Sequence, residues 1–443
     1  GVFERFGFQP LETPIIEARE VLVGAKAGET SQRIFSWRHE EEDAELGLRF
    51  DLTVPLARFV AAHPELRRPF KRYQVGPVFR VDKPGAGRFR EFLQFDIDTV
   101  GSRSMLADAE ILGAMSEALR ALGLPAHTIR WNHRGVLNAA LRRAKIEPSR
   151  AAAVIRILDK EDKIGIEGVR GELGEGRTDP ESGAPIPGLG LPEQQIQALR
   201  EFLQLQDETD EGLVEKSKEF LAGTKGAEAA LKEIDELRAQ LEVMGCAERV
   251  RFSPNLARGM DYYTGPIFEA TLDELPDYGS IMGGGRYDEL VSRFSGEQLP
   301  GVGASIGVDR LLAALDQLES RKQSGTVTEV LVTTMDRKLI LTYQALVREL
   351  REAGLNAEIY LNPKARLGDQ LKYASFWQIP YALIVGEDEL KEEKVTIKDL
   401  EEGARAASGM EDRAEWVEQR PGQFSLDRAK LVQTLKKLLG HGS

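Results

Sequence analysis

Cysteine is almost missing from this chain. Of 443 residues only Cys246 is a cysteine, so no internal disulfide can form and no cysteine-based metal cluster can be built. Histidine is nearly as scarce, and His39, His63, His127, His133 and His441 show no metal-ligand spacing. No apolar run is long enough to cross a bilayer, so no membrane association is expected. Positive charge is outnumbered: 59 Lys and Arg against 72 Asp and Glu leave a net charge of −13. That argues against coating nucleic acid through bulk electrostatics, while a local basic patch could still grip a folded RNA. A Walker-type lysine and a strand–GxGxxG–helix unit are also lacking, so a bound phosphate would be held by arginine rather than by a glycine cradle. The rest of the composition, 42% apolar and 30% charged, is ordinary for a globular protein, and the length calls for two or three domains. A cytoplasmic location is expected. Val2–Phe8 reads like the tail of an amphipathic helix, so the natural start is expected upstream of Gly1.

Against this background residues 71–101, KRYQVGPVFRVDKPGAGRFREFLQFDIDTVG, stand out. A Pro/Gly loop at residues 83–87 separates two runs rich in Val, Phe and Ile. This predicts a β-hairpin with strands over about Val75–Asp82 and Arg88–Val100. Side chains alternate across a strand, so Arg88, Arg90, Gln94, Asp96 and Asp98 share a face with Phe92, while Leu93, Phe95, Ile97 and Thr99 take the other. On the first strand Val78, Arg80 and Asp82 oppose Phe79 and Val81. Such a polar face is either a solvated surface of ion pairs or a site with cations near the loop and carboxylates deeper in. The apolar back favours the site.

Up to about Gly123 the chain reads as mixed α/β. Phe8–Thr13, meeting Pro14, suits an edge strand or a contact between subunits. Leu46–Phe50 is a short strand that runs into a helix, with Thr53 as its expected N-cap and Pro55 in the first turn. Asp51 and Thr53 then occupy a strand-to-helix corner. Residues 105–122 form a helix with Leu106, Ile111, Leu112, Met115 and Leu119 inward. Residues 137–245 are expected to be a helical insertion, with Gly171–Pro192 as a mobile connection. Residues 1–136 and 246–319 should together form one α+β core, an antiparallel sheet flanked by helices. Residues 320–326 read as a linker, and 327–443 as a C-terminal α/β (βαβαβ) domain that closes with a helix over Leu426–Leu439.

Glycine runs occur twice, Gly283-Gly284-Gly285 before Arg286-Tyr287-Asp288, and Gly301, Gly303 and Gly307 before Asp309-Arg310. They let a ligand approach the backbone or simply mark turns. Arg80, Arg88, Arg258 and Arg310 lie in segments that return to the same core. Guanidinium forks bind phosphate bidentately and stay charged. Arginines, Mg²⁺ and acids, without His or Cys, suit in-line attack of a carboxylate on a nucleotide phosphate, where positioning and charge neutralisation do the work.

These residues resemble the class II aminoacyl-tRNA synthetases, and among them the histidyl-tRNA synthetase family, over almost the whole chain. ETPIIE around Pro14 resembles the end of motif 1, the dimer element. GPVFRVDKPGAGRFREFLQFDID resembles motif 2 and GVGASIGVDRLLAAL motif 3. RGMDYYTG and GGGRYDEL resemble stretches peculiar to the histidine enzymes, and LRFDLTVPLAR their amino-acid corner. The resemblance implies that Asp51, Thr53 and Gln94 hold the α-amino group of histidine. It implies that Asp98 and Tyr263 bracket the imidazole, with Tyr262 and Tyr287 lining the pocket. Arg80 would grip the α-phosphate of ATP, and Arg88 and Arg310 the outer phosphates. Arg258 would stabilise the charge that develops as the carboxylate attacks, making Arg258 and Arg80 the catalytic pair. Also implied are ATP with Mg²⁺ bridged mainly through the nucleotide, no protein-held metal, a homodimer, and tRNA(His) as the acceptor. The insertion resembles an acceptor-arm clamp and the last domain an anticodon-binding domain. A rival reading, a histidine-sensing regulatory subunit of ATP-phosphoribosyltransferase, shares the fold; Arg258, the complete RGMDYYTG stretch and the appended domain speak against it.

The chain departs from the family pattern in three places. Asp51 and Asp98 stand where one branch carries Glu, and residues 404–422 are longer and more acidic than expected. The loop Lys83-Pro84-Gly85-Ala86-Gly87 lacks the Gln-Lys that common bacterial members use near the extra 5′ guanosine of their tRNA. Transcripts with and without that guanosine should therefore be charged at comparable rates, and a large loss without it would reject this reading of the loop.

Overall fold

The computed structural model describes the chain except for residues 24–32, 39–44, 83–84, 86–88, 181, 258–261, 319–324, 408–421 and 442–443. Two compact units result, Gly1–Ser320 and Arg321–Ser443. The expected linker falls largely outside the described residues, as does most of the acidic stretch after Ala404.

Thirteen strands are described in the first unit: β1 (Gln9–Pro10), β2 (Ile16–Ala18), β3 (Ser36–Arg38), β4 (Glu45–Leu48), β5 (Phe70–Phe79), β6 (Glu91–Val100), β7 (His127–His133), β8 (Gly176–Thr178), β9 (Pro185–Pro187), β10 (Val250–Phe252), β11 (Pro266–Leu272), β12 (Met282–Arg286) and β13 (Gly301–Gly307). Eight of them build one sheet in the order β1-β5-β6-β13-β12-β11-β7-β10. The inner pairings are antiparallel. Both outermost pairs, β1 with β5 and β7 with β10, are parallel. Each of these parallel neighbours is separated by a long excursion, as a parallel pairing requires: β2–β4 and a helix in one case, the helical insertion in the other. Strand β1 is a two-residue edge ending at Pro10, where a missing N–H does least harm.

The expected hairpin is β5–β6, paired from Phe70↔Val100 to Phe79↔Glu91. Its first strand begins five residues earlier than the apolar pattern indicates. The inward residues there are Arg72 and Gln74, both buried, so polar side chains occupy positions where hydrophobic ones would announce a strand. One face of β6 packs on the helix Met105–Ala121 through Ile97, together with Ile111, Leu112, Met115 and Leu119. Leu106, expected inward, is exposed: Ser104 caps this helix by accepting from the Leu106 N–H, and the first turn points outward. Deeper in the same helix Asp108 meets Arg286 of β12, whose guanidinium also donates to the Ser102 carbonyl at 2.9 Å and the Ser104 carbonyl at 3.2 Å.

Two other expectations change. Thr53 is not an N-cap; it lies inside the helix Thr53–Ala62, and the Asp51 carboxylate two residues earlier accepts the Val54 N–H at 2.9 Å. Gly171–Pro192 is not a mere connection. It contains the end of the helix Glu161–Leu173 and a β8–β9 ribbon, fixed where buried Glu172 accepts from Lys160 at 2.7 Å and Arg177 at 3.0 Å. The insertion's helices share one hydrophobic cluster with the sheet, in which Phe202, Leu237 and Val154 join Ile129 and Trp131.

The second unit holds a five-stranded sheet: β14 (Val330–Val332), β15 (Ala357–Ile359), β16 (Tyr381–Ile384), β17 (Lys394–Asp399) and β18 (Gln423–Asp427), in the order β15-β14-β16-β17-β18. The first three are parallel with helical crossovers; β17 and β18 are antiparallel additions. Leu426, expected to open the last helix, belongs to β18, and the helix runs Leu431–Leu439. Pairing with β17 captures Phe424 and Leu426, whose spacing of two fits a strand.

Removing one member of a buried ion pair strands the other charge, which costs about 3–5 kcal/mol. Asp108→Ala should therefore lower the unfolding free energy by roughly that amount in urea titration, while exposed Arg405→Ala should change it by less than about 0.5 kcal/mol.

Candidate functional site

The polar face of β6 is where the chemistry gathers. Gln94, Asp96 and Asp98 project from alternate positions and are all buried. Facing Asp98 across the sheet is Gly303 of β13, where a Cβ would lie 2.0 Å from Asp98 Oδ1. Gly301 does the same for Tyr287, whose Cε2 would be 2.4 Å from an added Cβ, and Gly285 makes room for Tyr263, at 2.8 Å from its Cδ1. The glycine runs thus lie within strands β12 and β13, where they clear space for pocket side chains, rather than forming turns before helices.

Asp98 is held from two sides. The Tyr287 hydroxyl donates to Oδ1 at 2.5 Å, and Arg72 Nη2 lies 2.7 Å from Oδ2. Burial pushes the Asp98 carboxyl above its ordinary range, and Arg72 and Tyr287 act against that rise. Asp96 is pushed up to about 7 by burial and by the neighbouring Asp98 and Asp51 charges, with Arg72 pulling the other way. At the corner after β4, Asp51 is also raised by burial, opposed by the Val54 N–H, Arg80 and Tyr262. The Tyr262 hydroxyl donates to Asp51 Oδ2 at 3.3 Å. Tyr262 meets Tyr263 edge-on with ring centroids 5.0 Å apart, and Tyr287 at 6.2 Å. Asp51, the three tyrosines and Asp98 therefore line one continuous wall, with Thr53 in the turn beside Asp51.

Gln94 Nε2 bonds Ser305 Oγ, but Gln94 Oε1 and Asp96 Oδ1 have no partner among the described residues. Asp98 Oδ2 makes a close charge contact with Arg72 and yet receives no well-directed hydrogen bond. Buried acceptors left unpaired cost about 1–3 kcal/mol each. Two on one strand face, Gln94 Oε1 and Asp96 Oδ1, are therefore open to N–H donors from a small ligand.

Two arginines border the outer end of β6. Arg80 donates from Nε to the Phe50 carbonyl at 2.9 Å and lies over the Phe92 ring at 5.0 Å. Arg310, in the first turn of the helix Val308–Gln317, lies over Tyr278 at 5.2 Å and donates to its carbonyl at 2.5 Å. Its neighbour Asp309 accepts the Leu93 N–H at 2.7 Å, joining that helix to β6. Arg88 and Arg258 lie outside the described residues.

Arg72 and Arg49 were not found by reading motifs. Arg49 is buried, donates to the Pro77 carbonyl at 2.9 Å and to the Thr13 carbonyl at 2.6 Å, and occupies the space that Gly76 leaves. The available signal was parity: had β5 been started at Phe70, Arg72 would have fallen opposite Asp98. A separate cavity of about 330 Å³, bounded by Arg5, Glu117, Arg120 and Cys246, contains none of these residues.

A family model described as histidyl-tRNA synthetase matches residues 1–311, and one described as an anticodon-binding domain matches residues 329–420. The chain is similar to the histidine–tRNA ligase of Cereibacter sphaeroides, 42% identical over 99% of this chain and 92% of that one. It is 41% identical to the histidine–tRNA ligase of Ruegeria pomeroyi over the same shares. Among solved structures, histidyl-tRNA synthetase from Nostoc superposes with a TM-score of 0.79 at 32% identity, covering 98% of this chain and 93% of that chain.

Gly303→Ala should force Asp98 out of its place. Histidine binding, measured by calorimetry, should then weaken about tenfold or more, equivalent to about 1.4 kcal/mol; unchanged affinity would show that Asp98 shifts without consequence.

Proposed function

Because this chain belongs to the histidyl-tRNA synthetase family and joins histidine to tRNA at the expense of ATP, we propose the following division of labour among its residues. The observation that carries it is the buried polar face of β6, where Gln94 Oε1 and Asp96 Oδ1 lack partners among the described residues and the Asp98 carboxylate lies beyond them, which suits a ligand with an ammonium at one end and a ring N–H at the other. Asp51, Thr53 and Gln94 take the α-ammonium of histidine. Asp98 and Tyr263 bracket the imidazole, and Tyr262 and Tyr287 shape the slot. An apolar side chain of similar size would leave those acceptors buried and unpaired, which is how such a site rejects it.

Arg80 holds the α-phosphate of ATP, while Arg88 and Arg310 hold the outer phosphates. Histidine's carboxylate oxygen bonds to the α-phosphorus as the bond to the bridging oxygen breaks, releasing pyrophosphate and leaving histidyl-adenylate. Arg258 neutralises charge that builds on the phosphate during this step. A terminal ribose hydroxyl of tRNA then attacks the activated carbonyl and AMP leaves. Mg²⁺, a hard cation that prefers phosphate oxygens, would arrive bridged mainly through the nucleotide and would neutralise its charge alongside the arginines. A second copy of the chain would cover Ile16 and Trp37, which are exposed on the small β2-β4-β3 sheet, and Ile15 just before it. No described helix is long and apolar enough to cross a membrane.

Histidine-dependent exchange of pyrophosphate into ATP tests this reading, run with all the standard amino acids. Exchange should occur with histidine alone; none at all, with histidine still bound, would return the regulatory-subunit reading. Arg258→Ala should lower the exchange rate at least about a hundredfold with the fold intact, and a rate within a few-fold of wild type would remove Arg258 from catalysis.

A further inference from the structure

We infer that Arg72 is a positioning residue for the amino-acid substrate, one buried guanidinium that holds the Asp98 carboxylate at the ring end of the pocket and the Leu52 carbonyl at the ammonium end. This rests on the division of roles above. Arg72 is fully buried on β5, directly across from Asp98 on β6. Its Nη2 lies 2.7 Å from Asp98 Oδ2 and donates to the Leu52 carbonyl at 3.0 Å. Leu52 stands between Asp51 and Thr53, so the same side chain grips the corner that faces the α-ammonium. Its Nη1 donates to Gln74 Oε1 at 3.1 Å, and Gln74 Nε2 donates to Thr13 Oγ1 at 3.1 Å. The guanidinium is thus engaged by three groups, Asp98, the Leu52 carbonyl and Gln74. The separation between the two ends of the substrate slot is set by one rigid planar group.

Charge gives Arg72 a second task. Asp98 shares its surroundings with Asp96 and Asp51, with the phenols of Tyr287 and Tyr263, and with Arg49 further along the sheet. Burial favours the neutral acid at Asp98, and Arg72 is the foremost influence against it. An ionised carboxylate accepts a ring N–H far better than a protonated one. Without the guanidinium, Asp98 would ionise only at higher pH, so histidine recognition would become pH-dependent in the direction of improvement with alkalinity. Lysine would restore the charge but not the fork, since a single ammonium cannot reach Asp98, Leu52 and Gln74 in the same geometry.

The test uses Arg72→Leu and Arg72→Lys in the full chain, with pyrophosphate exchange followed from about pH 6.5 to about pH 9. The substrate imidazole is neutral over most of that range, and taking the ratio of R72L to wild type at each pH removes the titration of the substrate's α-ammonium. For R72L the KM for histidine should rise about tenfold or more near neutrality and fall back as the pH rises, while the KM for ATP stays within about twofold of wild type. R72K should recover part of the loss. A folded R72L with wild-type KM for histidine and a wild-type pH profile would overturn the inference. Should R72L not fold, Arg72→Gln, polar but shorter and uncharged, is read in the same way. Absence of histidine-dependent exchange in the wild type would instead sink the functional reading, so the two failures are distinguishable.

Discussion

Three carboxylates, Asp51, Asp96 and Asp98, are carried into a space from which water is largely excluded, and much of the first unit is arranged to tolerate them. An isolated buried carboxylate would simply take up a proton. Here Arg72 lies against one of them, Tyr287 and Tyr262 donate hydroxyls, and the first turn of the helix Thr53–Ala62 offers a backbone N–H. Even so, burial outweighs these partners, and the Asp96 carboxyl is pushed up to about 7.

Room for these groups comes from glycine in the facing strands. Side chains as large as Tyr287 and Tyr263 can lie flat against the sheet only because Gly301 and Gly285 have nothing to place there. Glycine costs roughly 0.5–1 kcal/mol in a strand relative to alanine, and β12 and β13 carry several. The compensation is structural. Both strands are central, paired on each side, and backed by the helix Met105–Ala121 with its Asp108–Arg286 pair. Weak strands are thus placed where their neighbours constrain them most.

Much of this was legible before any coordinates. The β5–β6 hairpin, the parity of Gln94, Asp96 and Asp98, the helical insertion and the second unit's alternating elements all follow from periodicity and turn chemistry. What escaped has specific causes. Arg72 and Gln74 sit at buried positions of β5, and polar residues there erase the alternation that marks a strand. Asp51 took the capping role expected of Thr53 because both residue types cap well and spacing alone does not choose between them. Leu426 lies where strand and helix periods overlap, and only pairing with β17 decides. The parallel edges of the main sheet depend on contacts far apart in sequence, which no local pattern records.

The insertion helices and the sheet have a single hydrophobic interior, with Trp131 and Ile129 meeting Leu237, Phe202 and Val154. Cutting the insertion out at its chain boundaries would bare aromatic and aliphatic surface on the back of β7 as well as on the helices. Swapping this segment between relatives would accordingly demand matched surfaces on both sides of the seam. The segment belongs to the body that shapes the pocket, and its history is tied to that body's.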